Sequence, residues 1–240
     1  MPSETLGTRP CRAGHNVRTV TDADLWGLLS TRRRTHGSDP LLTYISGDER
    51  MELSAISTEN GAAKVAGALS DEFLLDPGAR IAVHLPWHWQ RSLWIGGIAA
   101  IGGECEPFGD PSSADLVVCT SLDAEALAAS ASCDVVVVSL HPFGLTVPGS
   151  VPDGCIDASV VVRMQPDGFA ARGRFSTDVP DVGATAERTV VVCSDVRNAD
   201  SWIWALPAPL VTGGSIIMCT EESSAQSIAE QERATRIVVL

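Results

Sequence analysis

A mainly parallel, helix-flanked α/β fold is predicted by three features of this 240-residue chain. Short apolar runs rich in β-branched residues recur along its length. Helical patches with small residues and polar faces separate them. Gly, Pro and Asp mark the junctions. A chain of this length suits one large domain or two small ones, and it can bury a sizeable core.

Residues 1–20 are polar and are expected to lie loosely on the surface. Thr21 reads as a helix N-cap, with Asp22 and Asp24 in the first turn and Leu25, Trp26, Leu28 and Leu29 on the apolar side. Arg32, Arg33 and Arg34 close that helix, where positive charge offsets its dipole. LLTYIS (41–46) and RMELSA (50–55) flank a Gly-Asp turn and predict a hairpin. Ser57 is the expected cap of a helix running to about Leu75, stopped by Asp76-Pro77-Gly78.

ARIAVHLP (79–86) has the continuous apolar character of a buried strand. A helix is expected from Pro86, its Gly96, Gly97, Ala99 and Ala100 allowing close packing against a sheet, with Gly102-Gly103 ending it. GECEPF (103–108), DLVVCT (115–120) and DVVVVSL (134–140) are further strands, with a helix in LDAEALAAS (122–130). A Pro/Gly-rich loop (141–154), a strand over Ile156–Met164 and an irregular stretch (165–188) follow. The chain closes with strand TVVVCS (189–194), a helix through Trp202–Leu210, strand GGSIIMCT (213–220), helix SSAQSIAEQERA (223–234) and strand TRIVVL (235–240). A last residue, Leu240, inside an apolar run suggests a scaffold that once continued.

Net charge is −13, which argues against a nucleic-acid partner, since phosphate backbones call for clustered cations. Sixteen basic residues are Arg and Lys64 is the single lysine, so no mechanism needing a second lysine is available. The seven cysteines, at 11, 105, 119, 133, 155, 193 and 219, form no C-x-x-C pair; buried free thiols in a reducing cytoplasm are expected. The N-terminus lacks the apolar core of a signal peptide, and no apolar run is long enough for a membrane span.

No phosphate-loop, dinucleotide-loop or nucleophile-elbow pattern occurs. His84 and His88 lack the accompanying carboxylate of a zinc motif, so no metal is expected, and His141 before Pro142 reads as a loop residue. Trp87, Trp89 and Trp94 share one helix, and Trp202 and Trp204 another; each set either walls an apolar cleft or fills the core. Cys193 and Ser194 end a strand, where α/β sheets place ligand groups and where polar residues also serve simply as caps.

The stretches DPLLTYISGDERMELSAISTENGAAKVAGAL and PGARIAVHLPWHWQRSLWIGGIAAIGGECEP resemble the opening of the adenylate-forming superfamily, the acyl-CoA synthetases and AMP-binding enzymes. Thr43-Tyr44, Glu52-Leu53-Ser54, Gly78–Pro86 and Ala99–Gly103 carry the likeness. LPAPLVTGGSIIMCTEESSAQSIAEQERATRIVV is similar to the segment after that family's phosphate loop, and VVVRMQPDGF to short, uncharacterised relatives of its N-terminal half. The resemblance implies that family's N-terminal α/β scaffold over residues 21–240, as two interlocked subdomains of about 21–165 and 185–240. It also implies a Ser/Thr/Gly-rich loop ending in Lys-Gly between about 160 and 195, and none is present. The adenine-contacting, ribose-binding, hinge and C-terminal lysine motifs have no counterpart here. Adenylation without those groups is not expected, because its catalysis is largely positioning and charge stabilisation.

The resulting expectation is a catalytically silent relative with no cofactor, acting as a binding or interaction module. It holds an apolar acyl ligand near Trp202 and Trp204, or docks on a second copy or a full-length partner. The rival expectation is a hydrolase or transferase using Cys193, Ser194 or His141, and a third is a structural remnant that dimerises through TRIVVL as an exposed edge strand.

Overall fold

A computed structural model describes residues 19–240 apart from 143, 145, 174–175, 181, 183–185 and 196; most of the expected loose segment, residues 1–18, lies outside the described residues. The elements run β1 (Thr19–Asp24), α1 (Leu25–His36), β2 (Pro40–Ser46), β3 (Glu49–Ser54), α2 (Ala55–Gly67), β4 (Arg80–His84), α3 (Trp89–Ile101) and β5 (Glu104–Pro107). They continue with β6 (Leu116–Cys119), α4 (Ala124–Ala128), β7 (Val135–Val137), β8 (Cys155–Asp157), α5 (Ala158–Val162), β9 (Ser176–Pro180) and β10 (Arg188–Val192). The last are α6 (Asp200–Ala205), α7 (Pro207–Thr212), β11 (Ser215–Cys219), α8 (Ala225–Gln231) and β12 (Arg236–Val239).

Two five-stranded sheets result. The first has the order β12-β10-β11-β2-β3, parallel except for the β2–β3 hairpin. The second, β5-β4-β6-β7-β8, is wholly parallel. A separate antiparallel ribbon pairs β1 with β9.

The apolar strands divide by alternation. Leu116 and Val118 of β6 enter the large core, while Val117 and Cys119 face the other way. Val191 and Cys193 enter the same core, while Val190 and Val192 pack outward under α8. Both sheets therefore bury both faces, which is why their strands read as unbroken apolar runs. The large core holds α1, α2, α3, α6 and α7 between the sheets, with α4 and α8 outside, giving five layers.

Several boundaries differ from the sequence reading. Asp24, not Thr21, caps α1: its carboxylate accepts from the Gly27 N–H at 3.0 Å, and Thr21 lies in β1. Ser54, not Ser57, caps α2, which continues as a π-helical turn over Ala68–Glu72. α3 starts at Trp89 rather than Pro86, with His88 as its cap. The run expected as a strand over Ile156–Met164 is strand only to Asp157, whose carboxylate accepts from the Ser159 N–H and starts α5. The stretch read as irregular contains β9, and the helix expected through Trp202–Leu210 breaks at Leu206 ahead of Pro207.

Gly96 and Gly97 of α3 face α2 rather than a sheet. A Cβ on Gly97 would stand 2.5 Å from Val65 Cγ1, and one on Gly96 would stand 2.8 Å from Ala62 Cβ. The arginines closing α1 also anchor it: Arg32 donates to Gly213 O, and Arg33 pairs with Glu59 at 2.8 Å.

Candidate functional site

In a parallel sheet, ligands bind at the carboxyl ends where neighbouring connections leave on opposite faces. In the first sheet β10 leads inward to α6, whereas β11 leads outward to α8. The crevice between them is edged by Cys193, Ser194 and Asp195 on one side and Cys219, Thr220 and Glu221 on the other. Beside it, at the ends of β2 and β11, lies a cavity of about 340 Å3 lined by groups including Ser46, Asp48, Thr220 and Glu221.

Cys193 is 2% exposed, and its Sγ donates to Asp195 O at 3.1 Å. Burial pushes this thiol up, with Arg91 and Ser201 opposing. Cys219 repeats the arrangement, donating to Glu221 O at 3.1 Å with its thiol also raised by burial. Both thiols close a strand end onto a nearby carbonyl and stay protonated, hence weakly nucleophilic. Ser194 is exposed.

Trp202 and Trp204 are buried in the large core, and neither lines the polar cavity or the apolar cleft between helices described below. Trp202 lies 4.2 Å from the Arg91 guanidinium and meets Phe108 edge-on, while Trp204 lies 5.5 Å from that of Arg236. Arg91 is fully buried on α3. It donates to Leu85 O twice and to Ser201 Oγ at 2.7 Å, and burial lowers its pKa to about 10. It therefore remains charged at neutral pH and fastens α3 to α6. Ser92 reinforces the joint by donating to Ala205 O.

His88 meets Glu49, a pairing its sequence spacing does not indicate, where the β2–β3 turn meets the start of α3. His88 Nδ1 accepts from the Gln90 N–H at 3.3 Å, which leaves the ring proton on Nε2. Nε2 is buried without a hydrogen-bond partner, 3.9 Å from an equally unpaired Glu49 Oε1. The Tyr44 ring meets the imidazole edge-on at 4.6 Å. Burial, aided by Arg91, lowers His88 to about 4; burial raises Glu49, with His141 opposing. His84 is engaged separately, with Nε2 on Gly109 O at 2.9 Å, so the two histidines do not share a site. Among the described residues no cluster of three or more His, Cys, Asp or Glu could hold a metal.

Between α2, α3 and α5 lies an apolar cleft of about 140 Å3, walled by Val65, Leu93, Trp94 and Val162. Trp89 and Gln90 line its α3 side, and Lys64 and Arg163 also line it. Lys64 Nζ is held by Gln165 O at 2.7 Å and Asp167 at 2.8 Å.

No protein-family model matches the chain. A Mycobacterium tuberculosis H37Rv protein described as a TIGR03089 family protein is 32% identical over 215 residues, covering 83% of this chain and 87% of the relative. That relative is thus of similar size. Among solved structures, a Brucella canis acyl-CoA synthetase superposes with TM-score 0.71 at 21% identity, over 95% of this chain and 48% of the synthetase. A long-chain-fatty-acid-CoA ligase from Archaeoglobus fulgidus superposes with TM-score 0.69 at 11% identity, over 97% of this chain and 53% of the ligase. The chain spans about half the length of these enzymes, and the likeness is one of fold. The chain belongs to the TIGR03089 family and has the fold of an acyl-CoA synthetase N-terminal scaffold.

Proposed function

We propose that this protein is a catalytically silent, acyl-CoA-synthetase-like scaffold that acts as a binding or interaction module. The observation that carries this reading is the position of its only lysine. Lys64 sits on α2, held by Gln165 O and Asp167, and residues 165–195 contain no other. Transfer of an adenylyl group requires cationic or N–H donors aimed at the charge that develops on phosphate. The strand-end region instead presents the carboxylates of Asp48, Asp195 and Glu221, which disfavour a triphosphate.

The nucleophile alternative at Cys193 or Ser194 needs an adjacent base. Around Cys193 stand a carbonyl, a hydroxyl, a guanidinium and the Asp195 carboxylate, which pushes the thiol further up, and none of them is an imidazole or amine base. As an interaction module the chain would dock on a second copy or on a full-length acyl-CoA synthetase; as a binding module it would hold an apolar acyl group. Six described cysteines are free thiols, which supports a reducing, cytoplasmic setting. Among the described residues no helix is long and apolar enough to cross a membrane.

Isothermal titration with Mg-ATP tests the reading. The expected result is no saturable heat in the micromolar range, and micromolar saturation would overturn it.

A further inference from the structure

We infer that β12 is a pairing edge on which a second copy of this chain docks, strand antiparallel to strand, through Ile237 and Val239. The inference rests on the interaction-module reading and names its partner. Edge chemistry is the first argument. The two sheets have four edges. β3 carries Glu49, Arg50 and Glu52, β5 carries Glu104, Glu106 and Pro107, and β8 ends on Asp157. Charge and proline keep an edge from pairing with another chain. β12 has neither after Arg236, where Ile237, Val238, Val239 and Leu240 follow.

Backbone geometry is the second argument. Among the described residues β12 pairs with β10 alone. The Leu240 N–H donates to Val192 O at 3.0 Å. By the alternation of a parallel ladder Val238 also bonds inward, while Ile237 and Val239 turn N–H and C=O to the open side. Burial follows the same line: Val192 on β10 is 1% exposed, and its neighbour Val239 is 38% exposed.

Fit of the edge to itself is the third argument, and it selects a second copy. With a two-fold axis through Val238, Ile237 stands opposite Val239 of the second copy, and each such pair exchanges both backbone hydrogen bonds. The same register sets β-branched side chains against each other on the outer face. Arg236 then falls opposite Leu240 of the second copy, so no like charges meet. Pairing with β3 would instead set Glu and Arg against this apolar row. It would also leave an unpaired edge on each copy, whereas the two-fold contact closes.

The test is sedimentation of the full chain over a concentration series, with hydrogen exchange on the same samples. The species expected at high concentration has twice the 25.3 kDa mass of the chain, with exchange at the Ile237 and Val239 amides slowing as it forms. Val239→Pro removes an N–H that the ladder to β10 does not use, and should weaken self-association by at least about tenfold. Val239→Lys, at the same part-exposed position, should do likewise and decides if the proline variant does not fold. Leu122→Lys, at a side chain 92% exposed beside the second sheet, should leave the dimer intact. A monomer at every concentration would overturn the inference. So would a dimer that the Val239 variants leave unchanged, one that Leu122→Lys dissolves equally, or a chain that pairs only with an added acyl-CoA synthetase. The two readings fail separately: a monomer that ignores Mg-ATP strikes the dimer alone, and a dimer that binds Mg-ATP strikes the catalytic silence alone.

Discussion

The two sheets differ at their carboxyl ends. In the first, the strand-end side chains are satisfied locally: Cys193 and Cys219 each donate to a carbonyl two residues on, and Ser46 Oγ bonds Thr220 Oγ1 at 3.2 Å. In the second, β4 runs into an aromatic segment whose Trp87 Nε1, His88 Nε2 and Trp89 Nε1 are buried and unpaired. The residue types that look reactive therefore sit at the closed end. Three unpaired polar atoms lie within three consecutive residues at the other, while the first sheet's side carries Glu49 Oε1 and Trp202 Nε1.

Arg91 follows that aromatic segment and joins the two edges, so its removal should produce the largest effect. Arg91→Leu strands Leu85 O, removes one of the two hydrogen bonds of Ser201 Oγ, which still donates to Asn198 O, and strips the cation from Trp202. Urea unfolding should show a loss of about 3–5 kcal/mol. A change below about 1 kcal/mol would mean that the two edges do not depend on each other.

The next effect is a pH dependence. Burial lowers His88 to about 4 from the ordinary histidine value of 6.5. Above pH 6.5 the folded and unfolded rings are both neutral. Between 6.5 and 4 only the unfolded ring takes a proton, so stability falls as pH falls across that window, by about 3 kcal/mol in full. Glu49 works against this, since its raised pKa makes the folded state take up a proton earlier. His88→Asn keeps a capping side chain and should flatten the decline, measured by denaturant unfolding at stepped pH. An unchanged decline would assign the effect elsewhere.

Gly97→Val drives a side chain into Val65 where α2 and α3 cross between the sheets. It should cost about 1–3 kcal/mol, seen as a lowered melting temperature.

The smallest effect belongs to the outer face of the first sheet. Glu232 accepts from Arg50 at 2.8 Å and from Arg188 at 2.7 Å, and these bonds hold its carboxyl below the usual value. Its contribution is present above the unfolded value near 4.5 and is lost as pH falls through the lower folded one. Arg50 is 48% exposed, so screening limits the loss on Glu232→Gln to about 1 kcal/mol at neutral pH.

Strand positions were legible because sheets buried on both faces leave continuous apolar runs, as in Val135–Val137 and Val190–Val192. Caps slipped by three residues at Asp24 and Ser54 because several Ser, Thr and Asp residues compete near each helix start, and tertiary contacts choose among them. The apolar cleft was not legible, since one wall is α5, whose Val160–Val162 run has strand propensity that the Asp157 cap overrides. The inertness of Cys193 was hidden for a related reason: its surroundings include Arg91 and Ser201 on other elements. The His88–Glu49 pair depends on a tautomer set by the α3 cap and on a partner in a distant hairpin, and sequence spacing reports neither.

The proposed catalytic silence of this scaffold is tested most directly by ATP–pyrophosphate exchange with purified protein and a panel of carboxylic acids. Exchange indistinguishable from a protein-free blank is expected for every acid. Exchange that scales with protein concentration and persists through a second, independent purification would contradict it.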